Sequence, residues 1–211
     1  MNRISTHGKK FKVGVTEHDY LECVIVNAAP VQRMYYAHDY NPNAPQKPVC
    51  WSSDTNQPDS QVEDKQASRC MDCKQDIRGS ASGGGRACRY SQKLAVSMED
   101  DLTDIYQLHV PANSIFGRAV GSHMPLQEYA RFLSKNSTPS VSIFTKMYFD
   151  GNSSVPKIFF TPVRSLGETE LDVVQEMINH SDTTKAITLD FSNVQETSCP
   201  FEKTSGFTIS T

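Results

Sequence analysis

"LECVIVNAAPVQRMYYAHDY", residues 21–40, decides the fold class. Val24, Ile25 and Val26 form an apolar run of β-branched residues, bounded soon afterwards by a turn signal at Pro30. Such a run fits a buried strand. Met34, Tyr35 and Tyr36 then mark a second short strand. Pro42, Pro45 and Pro48 follow, and each fixes φ and removes a backbone donor. Regular structure is therefore not expected again before Cys50.

The same reading extends along the chain. "KLAVSM" (93–98) and "IYQLHV" (105–110) are strand candidates joined by the acidic turn "EDDLTD". "SVSIFTKMYFD" (140–150) and "PKIFFTPV" (156–163) form a hairpin over "DGNSS". "MPLQEYARFLSKN" (124–136) predicts a helix, with Pro125 near its first turn and Leu126, Tyr129, Phe132 and Leu133 along one face. "ETELDVVQEMINH" (168–180) predicts a second, with Leu171, Val174, Met177 and Ile178 facing inward. "TTKAITLDFSNV" (183–194) is read as a further strand, residues 1–12 as a loose arm, and the tail from about 196 to 211 as loose. The sum is a β-rich α+β chain forming a single domain over 1–211.

Composition sets the scale of the core. The chain has 211 residues, 37% of them apolar, and a mean hydropathy of -0.48. That supports one modest core with long polar loops. No apolar run approaches the roughly 18 residues of a membrane helix. The start, "MNRISTHGKKFKVGV", lacks the apolar stretch of a signal peptide, so a soluble protein made in a cytoplasm is expected.

Residues 50–93 break the pattern. They carry neither a helical nor a strand period, and "GSASGGGRACRYS" (79–91) holds four glycines. A structureless stretch this long needs something else to order it. Cys50, Cys70, Cys73 and Cys88 offer that, spaced x19, x2 and x14. Two cysteines separated by two residues can turn both sulfurs to one ion, and the outer pair can close a tetrahedron. Without a secretory signal, structural Zn²⁺ is the leading expectation, against disulfides, an iron–sulfur cluster or free thiols. Cys23 reads as a buried thiol in a strand, and Cys199 falls in a polar tail.

Charge points to a partner. Net charge is -3, yet residues 1–98 hold 13 Lys/Arg against 10 Asp/Glu, while 99–211 hold 8 against 14. Between Lys65 and Lys93 lie Lys65, Arg69, Lys74, Arg78, Arg86, Arg89 and Lys93, opposed only by Asp72 and Asp76. A basic segment in an acidic chain suggests a local polyanion site; the plainer alternative is a solvated loop with chance charges. Trp51, the single tryptophan, stands beside Cys50 as either a lid on the metal site or a platform for a base.

The run "VIVNAAPVQRMYYAHDYNP…CWSSD…SRCMDCKQDIRGS…GGGRACRYSQKLAV…IYQLHVPANSIFG…TKMYFD…PKIFFTPV" resembles a family of tailed-phage single-stranded DNA-binding proteins, over about residues 21–180. The shared features are the Cys-Trp-Ser opening, the Cys-x-x-Cys pair and the Gly-rich segment, with Arg86 standing where the family pattern has lysine. The resemblance implies an OB-like antiparallel barrel or other β-rich sheet core. It also implies single-stranded DNA as ligand, a replication or transcription-cofactor role, phage RNA polymerase or replication proteins as partners, homo-oligomers, and the cytoplasm of an infected bacterial host. Independently, sequence-tolerant binding of one strand needs cations for the backbone and aromatic faces for the bases. Arg33, Arg86, Arg89 and Lys93 are candidates for the first, and Tyr35, Tyr36, Tyr40, Trp51 and Tyr90 for the second, although tyrosines in strands also pack as core.

Two other classes are weighed. An enzyme is disfavoured: "SGGGRAC" lacks the Lys-Ser/Thr of a phosphate-binding loop, and the six histidines are scattered, with His38 and Asp39 adjoining as an acid–base pair that a surface turn explains. A zinc-stapled polymerase-interaction module that never touches nucleic acid is the other.

Overall fold

The computed structural model describes residues 1–37 and 46–191. Its strands are β1 (Asn2–His7), β2 (Lys10–Val13), β3 (Thr16–His18), β4 (Tyr20–Ala28), β5 (Gln32–Tyr35), β6 (Cys50–Ser52), β7 (Cys88–Met98), β8 (Ile105–Pro111), β9 (Ile143–Phe149) and β10 (Ile158–Ser165). Its helices are α1 (Ala112–Ile115), α2 (Leu126–Lys135), α3 (Glu168–Ile178) and α4 (Ser181–Ile187). The result is α+β and strand-rich, a curled mixed sheet forming a half-barrel. Strand order is β10-β9-β4-β7-β8-β1-β2-β3, with β5 and β6 as a side ribbon on β7. Only β1 against β8 runs parallel.

The opening stretch explains the middle of this sheet. β4 lies between β9 and β7 and is buried on both faces. Successive side chains of a strand point to opposite faces. Leu21, Cys23 and Ile25 accordingly join one core cluster, while Val24 and Val26 join the other. The first cluster is covered by α1 and α2 through Ile115, Leu126, Tyr129 and Leu133, the second by α3 and α4 through Val174, Met177 and Ala186. β7 alternates in the same way, with Leu94 and Val96 in one cluster and Ala95 in the other.

Two expectations are corrected. Residues 1–12 are not a loose arm: β1 and β2 pair with each other, and Ile4 and Phe11 are buried in the core. Two well-placed apolar side chains were enough to dock a mainly polar segment. The stretch from 183 is not a strand, since residues 181–187 form α4. His180 caps it by accepting from the Asp182 amide, and Thr183 and Ala186 seat it on the sheet. The tail from about 196 lies outside the described residues. No helix among the described residues is long and apolar enough to cross a membrane.

Phe160 on β10 is fully buried, against Tyr129 of α2 at 6.1 Å between ring centres. Phe160→Ala should cost about 3–5 kcal/mol, because the ring's contacts are lost and the cavity only partly collapses. The measurement is urea unfolding, with a lower midpoint at unchanged slope.

Candidate nucleic-acid interface

β7 is long enough to serve both the main sheet path and the side ribbon. Its second half pairs with β4, while Cys88–Ser91 pairs with β5, which carries β6 on its far edge. Across this ribbon Tyr35 stands between Cys50 and Cys88, Met34 between Trp51 and Arg89, and Arg33 between Ser52 and Tyr90. Alternation therefore places Arg33, Tyr35, Cys50, Cys88 and Tyr90 on one face, and Met34, Trp51 and Arg89 on the other.

The intervening segment, 53–87, folds over the first face and is tied there by polar contacts. Two successive 3₁₀ turns, Cys70–Asp72 and Lys74–Asp76, bring the Asp76 carboxylate to the ribbon. Arg33 Nη1 donates to Asp76 Oδ2 at 2.8 Å and to the Cys70 carbonyl at 3.2 Å. Tyr90 and Arg86 also donate to Asp76, at 3.3 and 3.2 Å. The Arg33 guanidinium lies 4.4 Å from the Tyr90 ring centre. With side chains only 11% and 13% exposed, the Arg33–Asp76 pair is largely shielded from water, where Coulomb attraction is strongest. The glycine-rich end closes on itself, with the Gly79 amide donating to the Gly85 carbonyl at 2.8 Å. Gly79 holds φ at +95°, a conformation side chains resist.

Cys50, Cys70, Cys73 and Cys88, remote in sequence, all line one cavity of about 20 Å³ together with Arg33, Tyr35, Trp51 and Gln66. That space suits one water-sized occupant. All four are buried, and no disulfide joins them. Burial pushes the Cys50 and Cys70 thiols up and holds Cys88 at about 12, so these groups rest as neutral thiols. As a donor set they suit a soft ion. Their sulfurs do not, however, stand as a coordination shell: among the described residues no group of three or more His, Cys, Asp or Glu could hold a metal ion.

The other face of the ribbon is packed. Trp51 is 5% exposed, clustered with Met34 and Val62, and its ring lies 5.0 Å from that of Phe191. It offers no open ring face to a base, which fits the lid rather than the platform. Tyr36 joins the same cluster, its hydroxyl reaching Met34 Sδ at 3.6 Å. Lys93 donates to the Thr188 carbonyl at 2.7 Å, and burial draws its pKa down.

The expected residues therefore separate. The four cysteines meet, and Arg33, Arg86 and Tyr90 meet around an acid that the sequence reading had counted only as an exception to the basic run. Arg33, Trp51 and Lys93 are engaged inside the protein. Arg86 and Arg89 are exposed, Tyr35 is half-buried between two cysteine strands, and Tyr40 lies outside the described residues. The exposed cations of this region also include Lys65, Arg69, Lys74 and Arg78, of which Arg69 pairs with Asp72. Cys23 is an inert core thiol, pushed up to about 12 by burial. No protein-family model, curated protein or solved structure matches the chain.

Asp76→Ala should release the segment from the ribbon. It leaves Arg33 largely buried without its anion, a loss of about 1–3 kcal/mol. Hydrogen exchange should show the amides of Cys73, Asp76 and Ile77 losing protection while β4 and β8 keep theirs. Unchanged exchange at those three amides would show that the carboxylate does not hold the segment.

Proposed function

We propose that the protein binds single-stranded DNA through the basic outer surface of residues 65–86, as the resemblance to tailed-phage single-stranded DNA-binding proteins implies. The observation that carries this reading is that the basic segment is an ordered cap, anchored through Asp76, and not a loose solvated loop. Lys65, Lys74, Arg78 and Arg86 are exposed on it, while its acids Asp72 and Asp76 are paired with Arg69 and with Arg33 and Arg86. A track of preorganised cations is what a polyanionic backbone requires. The wider role is replication or support of a phage RNA polymerase. The proposal includes an OB-like core, since curled antiparallel sheets with a loop-built binding edge are the architecture such proteins use.

Log K against log salt should fall with a slope of about -2 to -4, equivalent to a few phosphates. Lys74→Ala and Arg78→Ala should each flatten that slope by about 0.7. Gel shifts comparing a single strand with the same sequence as duplex give the decision. Equal or tighter duplex binding would overturn the single-strand reading, and no binding to either would favour a polymerase-interaction module.

Zinc belongs to the same proposal, with Cys50, Cys70, Cys73 and Cys88 as its ligands. The ion would have a structural role, stapling β6 and β7 to the 3₁₀ turns, and would take no part in a reaction. Because thiolates are the ligands, binding must displace protons and draw the four sulfurs together. Elemental analysis should find about one zinc per chain. Chelation should expose residues 50–93 to protease while the core sheet resists. A metal-free protein whose segment is equally resistant would remove zinc from the account.

A further inference from the structure

Met71 and Ile77 are 71% and 61% exposed. They are the two exposed large apolar residues that fall inside the basic segment, Met71 within its first turn and Ile77 capping the end of its second. Each follows an anchored residue: Cys70, whose carbonyl accepts from Arg33, and Asp76, whose carboxylate accepts from Arg33, Arg86 and Tyr90. The backbone at both sites is further held by the Cys73 amide on the Cys70 carbonyl and the Ile77 amide on the Lys74 carbonyl, each at 3.3 Å. The two side chains therefore project from fixed points. A single exposed apolar residue needs no explanation. Two on anchored turns, interleaved with exposed Arg69, Lys74 and Arg78, describe a specific surface.

That surface calls for a partner carrying negative charge and apolar faces together. An acidic protein segment and a nucleic-acid strand both qualify in charge. Shape separates them. Peptides seat their apolar anchors in grooves, whereas side chains this exposed stand off the surface. Methionine and isoleucine standing off a cationic surface are the residue types that enter between neighbouring bases and part them. With Trp51 enclosed, the tryptophan offers no open face to a base, and Met71 and Ile77 stand exposed instead.

We propose that Met71 and Ile77 are the base-contacting residues of this protein, wedging between successive bases of a bound strand while the neighbouring Lys and Arg hold its phosphates. This rests on the single-strand reading above. It adds that binding unstacks the strand, and that affinity has an apolar component surviving salt.

The test uses the full-length protein and oligonucleotides carrying 2-aminopurine between adenines, whose fluorescence rises on unstacking. Wild type should raise the signal on binding. Met71→Ser with Ile77→Ser should abolish the rise and weaken binding about tenfold at moderate salt, leaving the salt slope unchanged. Met71→Leu with Ile77→Val should retain both signals, and equal protease resistance of all variants establishes that the segment is still folded. Binding by wild type without a fluorescence rise would overturn the wedge and leave single-strand binding standing. Absence of any binding would remove both. Poly-L-glutamate serves as the acidic-protein probe: loss of its binding in the serine variant, with oligonucleotide binding intact, would assign the surface to a protein partner instead.

Discussion

The Arg33–Asp76 ion pair is the contact on which the candidate site depends. Segment 53–87 is long and polar, and fixing each of its residues costs about 1–2 kcal/mol of backbone entropy. Its buried apolar contribution is small, with Val62 as its aliphatic member of the ribbon cluster. Polar contacts spread along the segment supply part of the compensation, and three of them converge on one carboxylate. Asp76 satisfies Arg33, Arg86 and Tyr90 at once. Arg33 in turn reaches the Cys70 carbonyl, so the same contact sets where the paired cysteines sit.

β7 supplies the mechanical continuity. Residues 94–98 are locked into the double-faced core, and residues 88–91 extend beyond it to carry β5 and β6. The ribbon is thus a rigid continuation of the main sheet, not a separate flap. Whatever binds the cap is referred directly to the core, through Cys88 and Tyr90 on one face and Arg89 on the other. The chain following α4 closes the reverse side, with Leu189 and Phe191 against the Trp51 cluster.

Charge is distributed to match. The acidic second half of the sequence forms β8 to β10 and the four helices, and the basic segment is gathered at the ribbon end. Acids within that segment are spent locally: Asp72 on Arg69, Asp76 on Arg33 and Arg86, Asp59 on the Ser53 amide and hydroxyl. What remains facing solvent over residues 65–86 is mainly cationic, interrupted by Met71 and Ile77, with Glu63 and Asp64 exposed just before it.

The sequence by itself determined the elements with strong local signals. The apolar run at 24–26 reads correctly as buried strand, the hairpin over "DGNSS" forms as expected, and the spacing of Leu126, Tyr129, Phe132 and Leu133 gives α2, although Phe132 is exposed and only the other three are buried. It also singled out Cys50, Cys70, Cys73 and Cys88 by their spacing, and the four line one cavity. Local signals failed where few residues carried the docking. Ile4 and Phe11 draw the N-terminus into the sheet, and a histidine cap with Thr183 and Ala186 turns a β-like stretch into α4. Only the tertiary structure decided which cations face outward. Arg33 and Arg86 look alike in sequence, but cross-strand pairing with Tyr90 encloses one, while the other stays half exposed. Trp51 could be lid or platform from the sequence, and a residue 140 positions later, Phe191, packs against its ring. Burial is a property of what the rest of the chain brings to a side chain, and no local pattern records it.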